Sequence, residues 1–292
     1  MLRFGLKQVG RLLLGLLGAA LLAACVSAVA GTDHKSLAGR LFERLTLIAS
    51  LDFGQSAVSA RSAWADLAQC LPVTLELVGL GGLLGILIGA PLGFVLSERR
   101  AVGPILQFAS ALPVFCVALG LLWLSRRGLH WSVAAQGASL VLALRSGDLT
   151  LIVAALRAVA APALTVGLAG AYAVQYLLRR AMAAAAHEPY RQGLRALGLG
   201  RFEIDGLYLF PQVLGSFFYN LGELVLPLVA AAAVAEWVFD WPGAANLFLK
   251  SVALRDWNVV GLTLFFFAAL TLGAEFAGAI AARLLAESEV AR

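Results

Sequence analysis

Leu77-Val78-Gly79-Leu80-Gly81-Gly82-Leu83-Leu84-Gly85-Ile86-Leu87-Ile88-Gly89-Ala90-Pro91-Leu92-Gly93-Phe94-Val95-Leu96-Ser97 is the stretch on which the fold turns. It holds 21 residues without a charge, closed by Glu76 on one side and Glu98 on the other. About 20 mostly apolar residues, rising ~1.5 Å each, cross a hydrocarbon layer of ~30 Å. The stretch therefore reads as a membrane-spanning helix. Within it, Gly81, Gly85, Gly89 and Gly93 recur at every fourth residue. Residues four apart share a helix face, so these glycines form a smooth ridge that a second helix can approach closely. The ridge is a helix-packing or pathway feature.

Working outward, the same spacing of charges recurs. Arg11 to Asp33 leaves 21 uncharged positions, Arg100 to Arg126 leaves 25, and Arg157 to Arg179 leaves 21. The stretches 206–235 and 257–282 each contain one acid, Glu223 or Glu275, and are otherwise nearly uncharged. The expectation is an all-α integral membrane protein of six helices, near 10–31, 74–96, 104–125, 158–178, 213–235 and 259–282. Composition agrees: 61% of the 292 residues are hydrophobic, 13% are charged and the mean hydropathy is +0.88. A soluble domain carries roughly 25% charged residues. A soluble enzyme, a disordered chain and a free-standing DNA-binding domain are excluded. Segment 138–156 is interrupted by Arg145, Gly147 and Asp148, and reads as an interfacial or re-entrant hairpin rather than a seventh span.

Basic residues set the orientation. With the N-terminus inside, the cytoplasmic pieces hold 12 Lys/Arg in 63 residues and the outer pieces 10 in 98. That bias supports N-in, C-in. The net charge of +5 then reflects topology and not nucleic-acid affinity. Leu22-Ala23-Ala24-Cys25 after Arg3, Lys7 and Arg11 is similar to a lipoprotein signal. Apolar residues continue to Ala30, so 1–31 is read as a retained spanning helix.

Several chemistries are missing from the sequence. None of Lys7, Lys35 and Lys250 follows a glycine, so no phosphate-binding loop is present. His187-Glu188 lacks the second histidine of a zinc-protease helix, and Cys25, Cys70 and Cys116 have no metal-ligand spacing. No catalytic group, metal site or bound cofactor is expected. Glu76, Glu223 and Glu275 lie in or near spans, where a carboxylate is costly and by default functional. Glu76 is close enough to a helix start to be interfacial. Glu223 and Glu275 suit a water-accessible interior or pathway better than a proton relay, because isolated carboxylates lack basic partners.

The 187–211 loop is the most specific segment. After His187, it reads Glu188-Pro189-Tyr190-Arg191-Gln192-Gly193-Leu194-Arg195-Ala196-Leu197-Gly198-Leu199-Gly200. Pro189 suits the first position of a helix, and Gly198 or Gly200 its C-terminal cap. Tyr190, Leu194 and Leu197 share one face and Arg191 and Arg195 another. A short amphipathic helix results, suited to membrane lipid or to a groove on a partner protein.

Gly198 and Pro211, thirteen residues apart, have the spacing of the EAA loop of bacterial ABC-importer permeases. The surrounding residues resemble the dipeptide/oligopeptide/nickel permease family. Leu71-Pro72-Val73-Thr74-Leu75-Glu76-Leu77, Glu236-Trp237-Val238-Phe239-Asp240-Trp241-Pro242-Gly243 and Arg255-Asp256-Trp257 resemble three further motifs of that family, in order. The triplet itself is replaced here by Gln192-Gly193-Leu194, and the usual C-terminal ending by Ala286-Glu287-Ser288-Glu289.

The resemblance implies a type I ABC-importer permease fold in the bacterial inner membrane. It implies an outer loop at 32–72, a permease domain at 73–284 and a cytoplasmic tail at 285–292. Glu188, Tyr190, Arg191, Arg195, Ala196, Leu197, Gly198 and Pro211 would couple to two ABC ATPase subunits, which carry the ATP and magnesium. A second homologous permease would complete the pore. A periplasmic or lipid-anchored solute-binding protein would dock through Glu236, Phe239, Trp241, Pro242, Gly243 and Asp256. Peptides or similar small polar solutes are the implied cargo. The alternatives are a nickel-complex importer and, from another class, a proton-driven secondary transporter using Glu223 and Glu275.

Overall fold

The computed structural model describes residues 2–29, 36–95, 112–129, 140–185, 193–194, 196–200 and 203–290. Among the described residues the regular structure is helical, with one isolated bridge between Gln55 and Ser62. Its helices are α1 (Leu2–Val29), α2 (Leu37–Ala49), α3 (Ala63–Val95), α4 (Val114–Leu124) and α5 (Leu140–Ser146), then α6 (Leu149–Ala185), α7 (Phe210–Tyr219), α8 (Leu221–Val238), α9 (Ala244–Ala253) and α10 (Trp257–Val290). Five of them are long and apolar enough to cross a membrane: α1, α3, α6, α8 and α10. The expected third span lies partly outside the described residues. Its described part is α4, which runs into a π-helical turn at Ser125–Leu129.

Several expected boundaries are corrected. The second span begins at Ala63, well before residue 74, so half of the expected outer loop 32–72 is helix. Ser62 sets that start: its hydroxyl accepts the Ala65 N–H at 3.2 Å, as an N-cap does. Pro72 and Pro91 lie inside α3 without ending it, which the packed neighbours of a membrane helix allow. Residues 149–156, expected in a re-entrant hairpin, are the first turns of α6. Gly147 turns the chain at φ +69°. Asp148 then caps α6, accepting the Thr150 N–H at 2.8 Å and the Thr150 hydroxyl at 2.6 Å. These hydrogen bonds hold the Asp148 carboxyl below its ordinary pKa. The fifth span is two helices, α7 and α8, broken at Asn220, whose N–H turns back to the Ser216 and Phe217 carbonyls. The expected tail 285–292 is largely the last turns of α10.

The glycine ridge explains the central contact. A Cβ on Gly85 would lie 2.8 Å from the Gly170 carbonyl carbon of α6, and one on Gly93 3.0 Å from the Leu178 Cβ. Gly81 and Gly89 meet Val166 and Ala171 more closely still. The ridge is thus a backbone-to-backbone interface with α6, where contact distance and not hydrophobic area supplies the attraction. α8 completes the junction, because Leu228 reaches Gly170 where it meets the Gly81 and Gly85 backbone. The main apolar core gathers Leu77, Val166, Val174, Ile204, Leu224 and Leu228 around it. A second core, with Ala24, Phe53, Leu67, Ala244 and Leu262, lies under α2 and α9. α1 packs along α10 and leaves Leu13, Leu14 and Leu17 exposed.

Gly89→Val is expected to destabilise the chain by about 1–3 kcal/mol, as overpacking does. Gly79→Val, whose Cβ meets nothing within 4 Å, should leave stability unchanged. Thermal unfolding of both variants in detergent checks this.

Candidate functional site

α6 is surrounded by α3, α4, α5, α7 and α8, and across its middle only one stripe stays uncovered. Between Ala158 and Met182 the exposed residues are Leu168, Tyr172, Tyr176 and Arg180, each four after the last. The Tyr172 and Tyr176 rings stack with centroids 6.3 Å apart. The stripe carries two phenols and a guanidinium on the most enclosed helix of the bundle.

The expected outer motifs form one polar hub. Thr74 on α3 donates its hydroxyl to Glu236 Oε1 at 2.6 Å and accepts the Ala244 N–H at 2.7 Å. Glu236 Oε2 accepts the Asn246 N–H at 2.8 Å. The carboxylate therefore sits on the N-terminus of α9, whose first-turn N–H groups have no partners inside their own helix. Gly243 is required there, because a Cβ would overlap the Glu236 carboxylate. Glu76, two residues after Thr74 and so on another face of α3, accepts the N–H of Leu140 at 2.6 Å, where α5 begins. Glu76 lies deep within α3 and not at its start. One short motif thus anchors two short helices, while Leu77 beside it is fully buried.

The expected docking residues fall largely within this hub. Glu236, Phe239, Trp241, Gly243 and Asp256 are buried within the chain. Asp256 accepts the Ser56 hydroxyl at 2.5 Å. Pro242 is exposed, as are Trp237 and Asp240 beside it. Hydrogen bonds from the Asn246 side chain and from Lys250 hold the Asp240 carboxyl below its ordinary pKa.

Of the coupling set, Glu188, Tyr190, Arg191 and Arg195 lie outside the described residues. Ala196 is helical, Leu197 is exposed, and Gly198 has φ +81°. The Leu199 N–H donates to the Leu194 carbonyl at 3.3 Å. That bond across a left-handed glycine is a Schellman cap, so Gly198 ends the short helix. The Gly200 N–H then donates to the Glu203 carboxylate at 2.9 Å, starting the segment that leads to α7. Pro211 occupies the second position of α7, directly after a π-helical turn at Ile204–Leu209.

Glu223 and Glu275, expected to stand apart from basic residues, share a cavity of about 190 Å³ with Arg11. Gln8 and Arg11 of α1, Asn220 at the α7–α8 break, and Glu275 of α10 line it with Glu223.

Five helices long and apolar enough to cross a membrane make this a multi-pass membrane protein. Residues 81–287 match the family described as binding-protein-dependent transport system inner membrane component, and the chain belongs to that family. It is similar to the peptide transport system permease protein SapB of Salmonella typhimurium, 25% identical over 72% of each chain. It is also similar to the di/tripeptide transport system permease protein DppB of Pseudomonas aeruginosa, 23% identical over 73% of this chain and 69% of that one. A third relative, 23% identical over 72% of each chain, is the putrescine export system permease protein SapB of Escherichia coli. The chain is a permease subunit of an ABC transporter of the peptide family, multi-pass in the bacterial inner membrane. Its relatives are permease subunits and not enzymes.

The tyrosine stripe and the hydroxyl of Thr74 escaped the sequence reading. The four-residue spacing from Leu168 to Arg180 carried the stripe's signal, but apolar residues on the neighbouring faces concealed it.

Thr74→Val and Glu236→Ala should each destabilise the α3–α9 junction, and the double variant less than their sum. A coupling energy of about 0.5–3 kcal/mol is expected for groups sharing one network. A double-mutant cycle on unfolding in detergent measures it.

Proposed function

We propose that the chain is one pore-forming half of an importer that moves peptides or similar small polar solutes inward. A second permease completes the pore, two ATPase subunits supply ATP chemistry, and a binding protein delivers solute outside. The family match over residues 81–287 carries this reading. The peptide transport systems to which the Salmonella and Pseudomonas relatives belong support the peptide cargo. A nickel complex would want imidazole or thiolate donors along its path, and the three histidines and three cysteines are scattered through the sequence. Membership in an ABC family also speaks against a stand-alone proton-driven carrier using Glu223 and Glu275.

In this reading the 187–211 loop passes ATPase closure to the bundle as a rigid push. The Gly198 cap keeps the short helix from continuing, so the push is delivered at a fixed angle to the segment entering α7. The exposed Trp237, Asp240 and Pro242 offer the outer loop's contact to the binding protein. Tyr172 and Tyr176 line the pathway, their hydroxyls replacing water around the polar groups of the passing solute. Alternating access follows when closure shifts the population between inward- and outward-facing arrangements.

Gly198→Asp, strained at φ +81°, is expected to leave insertion and assembly intact while separating ATP hydrolysis from uptake. Uptake and ATPase rates on reconstituted complexes decide; wild-type uptake by a correctly assembled variant would overturn the coupling role. Tyr172→Phe/Tyr176→Phe should raise the KM for uptake severalfold without changing basal ATPase activity.

A further inference from the structure

The cavity between α1, the α7–α8 break and α10 is lined by Arg11, Glu223 and Glu275, with Asn220 beside them and Leu272 and Phe276 as an apolar wall. Among the described residues, no hydrogen bond or ion pair joins the three charges to one another or to a neighbour. Counting ~1.5 Å per residue, Glu223 is about 22 Å from the Val238 end of α8, Glu275 about 27 Å from Trp257, and Arg11 about 26 Å from Ala28. Set against a ~30 Å hydrocarbon layer beginning at those helix ends, the three fall within about 3–8 Å of its far side, the side on which headgroups begin.

We propose that this cavity holds the headgroup of a phospholipid bearing a primary ammonium. The ammonium sits between the Glu223 and Glu275 carboxylates and the phosphate on the Arg11 guanidinium. Three observations carry the assignment. Two carboxylates and one guanidinium match a ligand with one ammonium and one phosphate better than a purely anionic headgroup. An ammonium with three N–H donors can serve both carboxylates, whereas a quaternary ammonium has none to give. The apolar wall and the exposed Leu13, Leu14 and Leu17 of adjacent α1 place hydrocarbon beside the cavity, where acyl chains must lie. The cavity touches neither α6 nor its tyrosine stripe, which separates it from the pathway assigned above. Its volume of about 190 Å³ is many times the ~10–15 Å³ that one water needs on the same measure, which leaves room for a compact headgroup. The site requires no covalent step and is independent of the transported solute.

The test starts from the unaltered chain, assembled with its partner subunits, in nanodiscs of phosphatidylethanolamine, its mono- and dimethyl derivatives, or phosphatidylcholine, each mixed with the same fraction of phosphatidylglycerol. Native mass spectrometry counts the lipid retained after delipidation. Retention at least fivefold higher for phosphatidylethanolamine than for phosphatidylcholine, falling with each methyl, is expected; equal retention of the two overturns the proposal. The double variant Glu223→Gln/Glu275→Gln should abolish that preference while leaving phosphatidylglycerol retention unchanged, and a preference that survives it also overturns the proposal. Displacement of the retained lipid by a millimolar dipeptide, a zwitterion without acyl chains, would assign the cavity to the solute instead and overturn the lipid reading.

Discussion

Contact between the glycine ridge of α3 and the face of α6 is the constraint on which the other contacts depend. Where four side chains are missing in a row, two backbones meet, and the remaining helices must find positions around that fixed pair. Leu228 of α8 reaches Gly170 only because α6 presents its own small residues at the same level. With five neighbours closing on it, α6 has one stripe left uncovered across its middle. The polar character of that stripe thus follows from close packing elsewhere, since any surface hidden by a neighbour could be apolar.

The polar anchors obey a related rule. A short helix at a membrane boundary cannot leave its first N–H groups unpaired, and water does not reach a buried start. Glu236 and Glu76 therefore act as caps lent by long helices to short ones, with Thr74 bridging the former. Carboxylates that look costly in an apolar sequence are here the complement of helix dipoles. By contrast, the Glu223–Glu275–Arg11 cavity gathers charges that no backbone group satisfies, and there an external ligand is the more economical partner.

The spans were legible because charge is scarce, and a run without it is long only where lipid requires it. The glycine ridge was legible from period alone, though not the helix it meets, since that depends on tertiary contact. Gly198 was readable as a cap because left-handed backbone favours glycine. The start of α3 at Ala63 was hidden because the span was read from the uncharged run after Glu76, while the helix continues through Glu76 back to Asp66 and beyond. The break at Asn220 has no proline or glycine to announce it at that residue. The outer motif was legible, but not that most of its side chains lie inside the chain, with Pro242 exposed. A sequence does not distinguish a glutamate facing solvent from one seated on a helix terminus, because the deciding N–H groups belong to residues ten positions away. The convergence of Arg11 with Glu223 and Glu275 was likewise beyond reach, since more than 200 residues separate the first from the others.

The length of α6 has a mechanical side. Its 37 residues extend about 55 Å, against a hydrocarbon layer of ~30 Å. Gly170, where α3 and α8 pinch it, divides that length into arms of about 32 Å toward Leu149 and about 22 Å toward Ala185. A rigid rod of those proportions, tilted by about 5° at Gly170, would swing its Leu149 end by ~3 Å and the other by ~2 Å. A small stroke applied at the short end of such a lever would arrive enlarged, and in the opposite direction, at the long one.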